Sequence, residues 1–245
     1  MTDESAMEIG DLRRRLSSIP VGVMSDVLAA MGLPDQVLSS VLRPIGAAAR
    51  LAGPALCLTG QEGPERPAPQ GGPKAVYEMD RRITNGCIAV IGTGGYRVSA
   101  VIGGNVGISW HRRGCGGIVT DGLIRDVAQF VAIGMPVFAG CITPLASKGR
   151  WSFSGIDVPV ILPGQTSKSV TVRPGDIVHG DHDGVVIIPR EHAGQAVRDA
   201  EVFESIEKKI QAELEAGSDR EEVYKRNDRL GHIRKAAGIS SPKLP

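Results

Sequence analysis

Asp121, Arg125 and Asp126 bring one cation and two carboxylates together in the stretch Gly114-Cys-Gly-Gly-Ile-Val-Thr-Asp-Gly-Leu-Ile-Arg-Asp126. Arg125 offers a planar fork that can clamp a carboxylate or an enolate. Asp126 offers hard oxygen of the kind magnesium accepts, where one or two protein carboxylates are completed by waters. Asp121 adds a second carboxylate that could take up a proton. The same residues also read as a capped helix start with an Asp121–Arg125 surface pair at helical i,i+4 spacing. Spacing alone leaves both readings open.

The elements around these residues favour a site. Gly117 to Thr120 is an apolar, β-branched run, as in a buried strand. Asp121-Gly122 reads as a turn, and Leu123 to Ile133 as a helix stopped by Gly134 and Pro136. The three charged residues then fall where a strand hands over to a helix, and ligands of α/β folds collect at the carboxyl ends of strands. Upstream, Gly103-Gly104-Asn105-Val106-Gly107 opens a helix through Trp110 to Arg113. Its first N–H groups form a natural seat for a carboxylate; a tight turn needing positive φ is the plainer explanation of the glycines. Gly92-Thr-Gly-Gly-Tyr96 contains a GxG. No helix pattern follows it and Arg97 replaces the last glycine, which excludes a dinucleotide loop.

The rest of the chain supplies a frame. Residues 8–16 read as a helix whose Arg13-Arg14-Arg15 run is a solvated face. Val21 to Met31 is a second helix, with Ser25-Asp26 either capping it or facing a site. Ile45 to Gly60 reads as two strands broken at Gly53-Pro54. Residues 61–73 are a loop by composition and a candidate lid. Lys74 to Arg82 is helical, Cys87 to Ile91 a buried strand, Pro136 to Ala139 another strand, and Thr143 to Ser154 a loop. Short strands follow at 158–162, 169–172, 177–180 and 185–188. Asp183-Gly184 is a hairpin signal, and Asp181-His182-Asp183 is turn chemistry before it is a metal cluster. Glu191 to Leu214 is a long amphipathic helix. From Ala216 the chain is charged, as in an arm lying on a partner subunit. The whole reads as one α/β domain over residues 1–214, with its core at about 20–210, and a charged arm over 215–245.

Composition narrows the function. The net charge is only +1 and aromatics are 4%, which argues against a nucleic-acid surface. The four cysteines form no CxxC pair; each lies in or beside an apolar run as a small buried hydrophobe, which fits a reducing cytoplasm. The histidines form no HExxH. No run is long enough to span a membrane.

Taken together, two motifs resemble the RraA-like family. They are Gly114-x-x-Gly117-Ile-Val-Thr-Asp121-Gly-x-x-Arg125-Asp126 followed by Gly134-x-Pro136-Val-Phe138, and Val172-x-Pro174-Gly175-Asp176-x-Val-x-Gly180-Asp181-x-Asp183-Gly184-Val-Val-x-x-Pro189. Ser25-Asp26 also matches. The resemblance implies a β/β/α swivelling-type single domain with a C-terminal helical arm, assembled as trimers or dimers of trimers with active sites between subunits. It implies a cytoplasmic 4-hydroxy-4-methyl-2-oxoglutarate aldolase or oxaloacetate decarboxylase, working on a small 2-oxo acid with Mg2+ or Mn2+. Arg125 would hold the pyruvyl carboxylate and stabilise the enolate. Asp126 would bind the metal, and Gly103, Gly104, Asn105 and Val106 would seat the substrate. An acid of the C-terminal helix, Glu201 or Glu204, would approach the neighbour's metal. The family also contains a regulator of ribonuclease activity, so a non-catalytic binding protein is the alternative.

One departure from the family pattern bears on the reaction. An acidic residue usually follows the loop glycine, where this chain has Gly104, and the next apolar pair is replaced by Asn105-Val106. Retro-aldol cleavage needs a base for the 4-hydroxyl, whereas decarboxylation starts with loss of carbon dioxide. Gly104 therefore points toward decarboxylation unless Asp121, a water or a neighbouring subunit takes the proton.

Overall fold

The computed structural model describes residues 9–64 and 75–237. In chain order the elements are α1 (Ile9–Leu16), α2 (Val21–Ala30), β1 (Arg43–Pro44), β2 (Leu51–Glu62), α3 (Ala75–Arg82), β3 (Ile88–Gly92), β4 (Ala100–Ile102), α4 (Gly104–Arg112) and β5 (Gly117–Ile124). They continue with α5 (Val127–Ala132), β6 (Val137–Ile142), β7 (Trp151–Ile156), β8 (Val160–Pro163), β9 (Ser169–Val172), β10 (Ile177–Asp181), β11 (Gly184–Ile188), α6 (Ala193–Glu215) and α7 (Arg220–Arg226). The candidate lid at 61–73 falls mostly outside the described residues.

A mixed sheet runs in the order β1-β6-β5-β3-β2-β10-β11, with β4 on β5 and β7 on β2. β2, β3, β5 and β6 are mutually parallel, and β10 and β11 form the expected hairpin, Asp181 facing Gly184. The central strands are buried on both faces, so they read as unbroken apolar runs. Successive residues still serve different layers. Ala89 and Ile91 pack with Trp110 and Phe130 under α4 and α5, while Ile88 and Val90 face Val160, Leu162 and Val170 of the β8–β9 hairpin. A third core joins α1, α2 and α6 to β10 and β11 through Leu16, Met24, Val197 and Phe203. The α/β domain with a C-terminal helix is as expected. Among the described residues, no helix is long and apolar enough to cross a membrane.

Several local expectations are corrected. β5 does not end at Thr120: Asp121-Gly122 is an irregularity inside it, where the register with β6 shifts between Thr120 and Leu123. Leu123 and Ile124 stay extended because β4 and β6 pair with them on either side. The helix accordingly starts at Val127 rather than Leu123. Gly53-Pro54 does not break a strand either. β2 runs through it and changes partner there, from β10 at Pro54 to β3 at Ala55. Residues 151–154 are the start of strand β7, not loop, because they pair with the far end of β2.

The helices also differ in their partners. Within Arg13-Arg14-Arg15 only Arg14 is fully exposed. Arg13 Nε donates to the Ala52 carbonyl at 3.1 Å, and Arg15 grips both oxygens of Glu201 at 2.6 and 2.7 Å. Ser25-Asp26 does not cap α2; the Asp181 carboxylate does, accepting from Val21 N–H at 2.9 Å. The described part of the C-terminal arm folds back on its own chain. Val223 is fully buried, Arg229 pairs with Glu207 at 2.9 Å, and Ala236 N–H donates to the Met31 carbonyl at 2.9 Å.

Candidate active site

β5 delivers Arg125 and Asp126 at its carboxyl end, and β4 delivers Gly103 beside them. The Arg125 N–H donates to the Ile102 carbonyl at 3.2 Å, which ties the two strand ends together. Asp126 then adopts a left-handed backbone (φ 62, ψ 40), a region that aspartate enters more readily than most residues. Its side chain makes no cap for its own helix, α5. It crosses to α4 instead: Oδ2 accepts from the Gly104 N–H at 3.1 Å and lies 3.4 Å from Arg125 Nε.

Glycine at 103 is what allows this convergence. A Cβ there would meet Asp126 Oδ2 at 2.8 Å and Arg125 Nε at 3.0 Å. The N–H groups of Asn105 and Val106 precede the first intrahelical bond of α4, Gly107 N–H to Gly103 carbonyl at 3.1 Å. They add partial positive charge to the same corner.

Gly103, Asn105, Val106, Arg125 and Asp126 all line one cavity of about 520 Å3. That size suits a small ligand. Sequence reasoning did not find the rest of its lining, which includes Trp151, Ser152 and Phe153 of β7 and Ser147, Lys148 and Gly149 just before it. The signal was faint: one tryptophan and one lysine in a stretch whose polar, glycine-containing composition reads as loop. Trp151 is held by Tyr96, ring centroids 5.0 Å apart.

Two expected residues sit elsewhere. Asp121 is 4% exposed and does not line the cavity. Both of its oxygens hold the preceding loop, accepting from Thr93 N–H at 2.7 Å and Gly95 N–H at 2.9 Å. Gly104 is buried with its missing side chain directed at α5 rather than into the cavity, for a Cβ would come within 1.7 Å of Gln129 Oε1. On α6, Glu201 is committed to Arg15 and Glu204 pairs with Lys208 at 3.5 Å.

A mixed α/β fold that presents an arginine–aspartate pair at a parallel strand's end, against a glycine-opened helix, defines a small-ligand site of the strand-end class. The Aldolase/RraA model of the RraA-like family matches residues 22–187, and the chain belongs to that family. A "putative 4-hydroxy-4-methyl-2-oxoglutarate aldolase" from Halalkalibacterium halodurans is 31% identical over 206 residues, covering 84% of this chain and 86% of that protein. An uncharacterized protein, MJ0644, from Methanocaldococcus jannaschii is 36% identical over 134 residues, 55% of this chain and 61% of its own length. Among solved structures, Streptomyces coelicolor RraAS2, described as an unusual member of the RNase ES inhibitor RraA protein family, superposes with a TM-score of 0.69 at 26% identity. That match covers 82% of this chain and 96% of the other.

Proposed function

We propose that the chain is a carbon–carbon lyase that cleaves a 4-hydroxy-2-oxo acid or oxaloacetate through a pyruvate enolate, with a divalent cation held at Asp126. The observation that carries this reading is the Arg125–Asp126 pair on the cavity wall, beside the open first turn of α4. Enolate formation places negative charge on an oxygen, and a fixed guanidinium with helix N–H groups aimed at one corner stabilises such charge. Arg125 grips the 2-oxo acid's carboxylate or enolate, Asn105 and Val106 N–H groups seat it, and Lys148, which lines the same cavity, takes a distal carboxylate.

The residues present fit a hard cation such as Mg2+ or Mn2+. Asp126 Oδ2 is engaged by Gly104, and among the described residues Oδ1 has no hydrogen-bond partner. Among the described residues no group of three or more His, Cys, Asp or Glu side chains is placed to hold a metal, so in this reading waters complete the shell around Asp126. When bound, the ion would act as a Lewis acid toward the oxygens of the 2-oxo acid. In the same reading, further acids come from a neighbouring subunit of a homotrimer or dimer of trimers.

The test is pyruvate release from oxaloacetate and a panel of 4-hydroxy-2-oxo acids, with and without chelator. Unchanged rates after thorough chelation would remove the metal from the reading. Absence of turnover on the whole panel would favour a non-catalytic regulator of the ribonuclease-inhibitor kind, a reading supported by the likeness to RraAS2.

A further inference from the structure

Three arginines line one hollow at the end of β5 that lies away from the candidate active site. Gly116 immediately precedes β5 and Arg125 immediately follows it, so the length of that strand separates the two places. The hollow measures about 240 Å3. Its lining includes Arg13 and Arg14 of α1, Ser17 just after that helix, Arg50 at the entry to β2, Gly116, and His179 of β10. Among the described residues no carboxylate lines it.

Arg13 and Arg50 are each anchored by one nitrogen and keep the rest of the fork unused. Arg13 Nε donates to the Ala52 carbonyl at 3.1 Å, and its terminal nitrogens lie against glycine backbone: a Cβ on Gly86 would meet Nη1 at 2.8 Å, and one on Gly116 would meet Nη2 at 3.5 Å. Arg50 Nη1 donates to the Ser17 carbonyl. An arginine carries five N–H donors, and among the described residues the other donors of Arg13 and Arg50 have neither a hydrogen-bond partner nor a carboxylate in ion-pair range. Arg14 pairs with Asp11 and so adds less net charge. The carbonyls that end α1 do not oppose an anion. Those of Arg13, Arg15 and Leu16 accept from the N–H groups of Ser17, Ser18 and Ile19 at 3.0, 3.3 and 3.1 Å, and that of Arg14 accepts from Ser17 Oγ at 2.6 Å. His179 is buried, with Nε2 donating to the Ile19 carbonyl at 3.0 Å. Burial first, with Arg50 adding, holds its pKa below the ordinary value. The charge of the hollow is therefore that of guanidiniums.

We propose that this hollow is a binding site for a compact phosphate-type dianion: inorganic phosphate, pyrophosphate or the phosphate group of a small ester. Two guanidiniums without a carboxylate partner match two negative charges gathered on one group, and planar forks take phosphate oxygens in pairs. A single carboxylate, of the kind assigned to Arg125, would leave one of the two cations unbalanced. No Phe, Tyr or Trp lines the hollow, so a nucleobase finds no stacking surface. The volume is below the roughly 300–1,000 Å3 usual for larger organic ligands, which again fits a small anion. The inference is independent of the lyase reading.

The experiment is titration calorimetry of the folded full chain in metal-free buffer, with inorganic phosphate, pyrophosphate and glycerol 3-phosphate as probes. Malonate and a short single-stranded RNA are the comparison ligands. Saturable binding of one phosphate-type anion per chain is expected. If the ester binds at least as tightly as the inorganic anions, the ligand is a phosphorylated metabolite; if the ester is rejected, it is the inorganic ion. Hydrogen bonds to charged groups are strong enough that Arg13→Gln and Arg50→Gln should each weaken binding by at least about tenfold, and Arg14→Gln by less. Arg125→Gln, at the other end of β5, and Arg220→Gln, exposed on α7, should leave the affinity unchanged. Should Arg13→Gln fail to fold, Arg50→Gln decides, because Arg50 is exposed. Absence of saturable binding by all three phosphate probes overturns the proposal. So does an affinity lost in Arg125→Gln and kept in Arg50→Gln, or one that falls equally in Arg220→Gln. Malonate binding as tightly as pyrophosphate would remove the phosphate assignment, and RNA binding more tightly than every small phosphate would make the arginines a nucleic-acid surface instead.

Discussion

Replacing Asp126 by asparagine separates structure from chemistry at this site. Asparagine tolerates the left-handed backbone as aspartate does, and its carbonyl oxygen can still accept from Gly104 N–H. The loss is of charge. A hydrogen bond to a charged group contributes roughly 1.5–3 kcal/mol and a neutral one about 1 kcal/mol, so weakening the 3.1 Å contact costs about 1 kcal/mol. The Arg125 pair adds a few tenths at most, because the two side chains are 40% and 36% exposed and solvent screens them. The sum corresponds to a fall in Tm of a few degrees, at roughly 2–4 °C per kcal/mol for a chain of this size. Turnover should suffer far more. Lewis-acid stabilisation is worth several kcal/mol, and each 1.36 kcal/mol is about tenfold in rate. Pyruvate release should therefore drop by at least about a hundredfold, with weakened metal affinity. Urea unfolding and a coupled pyruvate assay on the same preparation measure both. Turnover within about threefold of the parent, or a stability loss above about 3 kcal/mol, would refute the reasoning.

Other outcomes follow from the same geometry. Arg125→Lys keeps a charge but loses the two-pronged contact, so kcat/KM should fall by at least about tenfold while metal affinity, read by titration calorimetry, stays; normal turnover would make Arg125 a surface residue. Asp121→Ala strips the acceptor from the N–H groups of half-buried Thr93 and exposed Gly95, which water can partly replace, so urea unfolding should show a loss of roughly 1–3 kcal/mol; a loss below about 0.5 kcal/mol would show that the Thr93–Gly95 loop does not depend on it. Gly104→Glu joined with Gln129→Ala would direct its carboxylate at α5 rather than into the cavity, so the ratio of aldolase to oxaloacetate decarboxylase activity should stay as in the parent; a raised aldolase share would show that position 104 does reach the 4-hydroxyl. Lys148→Met should raise KM for substrates with a distal carboxylate and spare those without one, and an equal effect on both would place Lys148 outside the substrate's reach.

Arg125, Asp126 and the Gly103 helix start were legible without coordinates because their signals are local. A β-branched run sets a buried strand, a glycine pair sets a helix opening, and charged residues between apolar segments fall at the ends of elements. What happens at Asp121-Gly122 is not local. The chain stays extended there only because β4 and β6 hydrogen-bond to the residues that follow, and no window of sequence contains those partners. The same holds at Pro54, where β2 changes neighbours and a turn signal becomes a point of exchange. Asp121 carries the same charge as Asp126 in the sequence, yet one carboxylate is consumed by two backbone N–H groups and the other faces a cavity; only the path of the Thr93–Gly95 loop distinguishes them. Part of the cavity's lining comes from β7, whose pairing with β2 decides where Trp151 stands. Side-chain type and period are properties of neighbours in the chain, whereas pairing, burial and the sharing of one cavity are properties of neighbours in space.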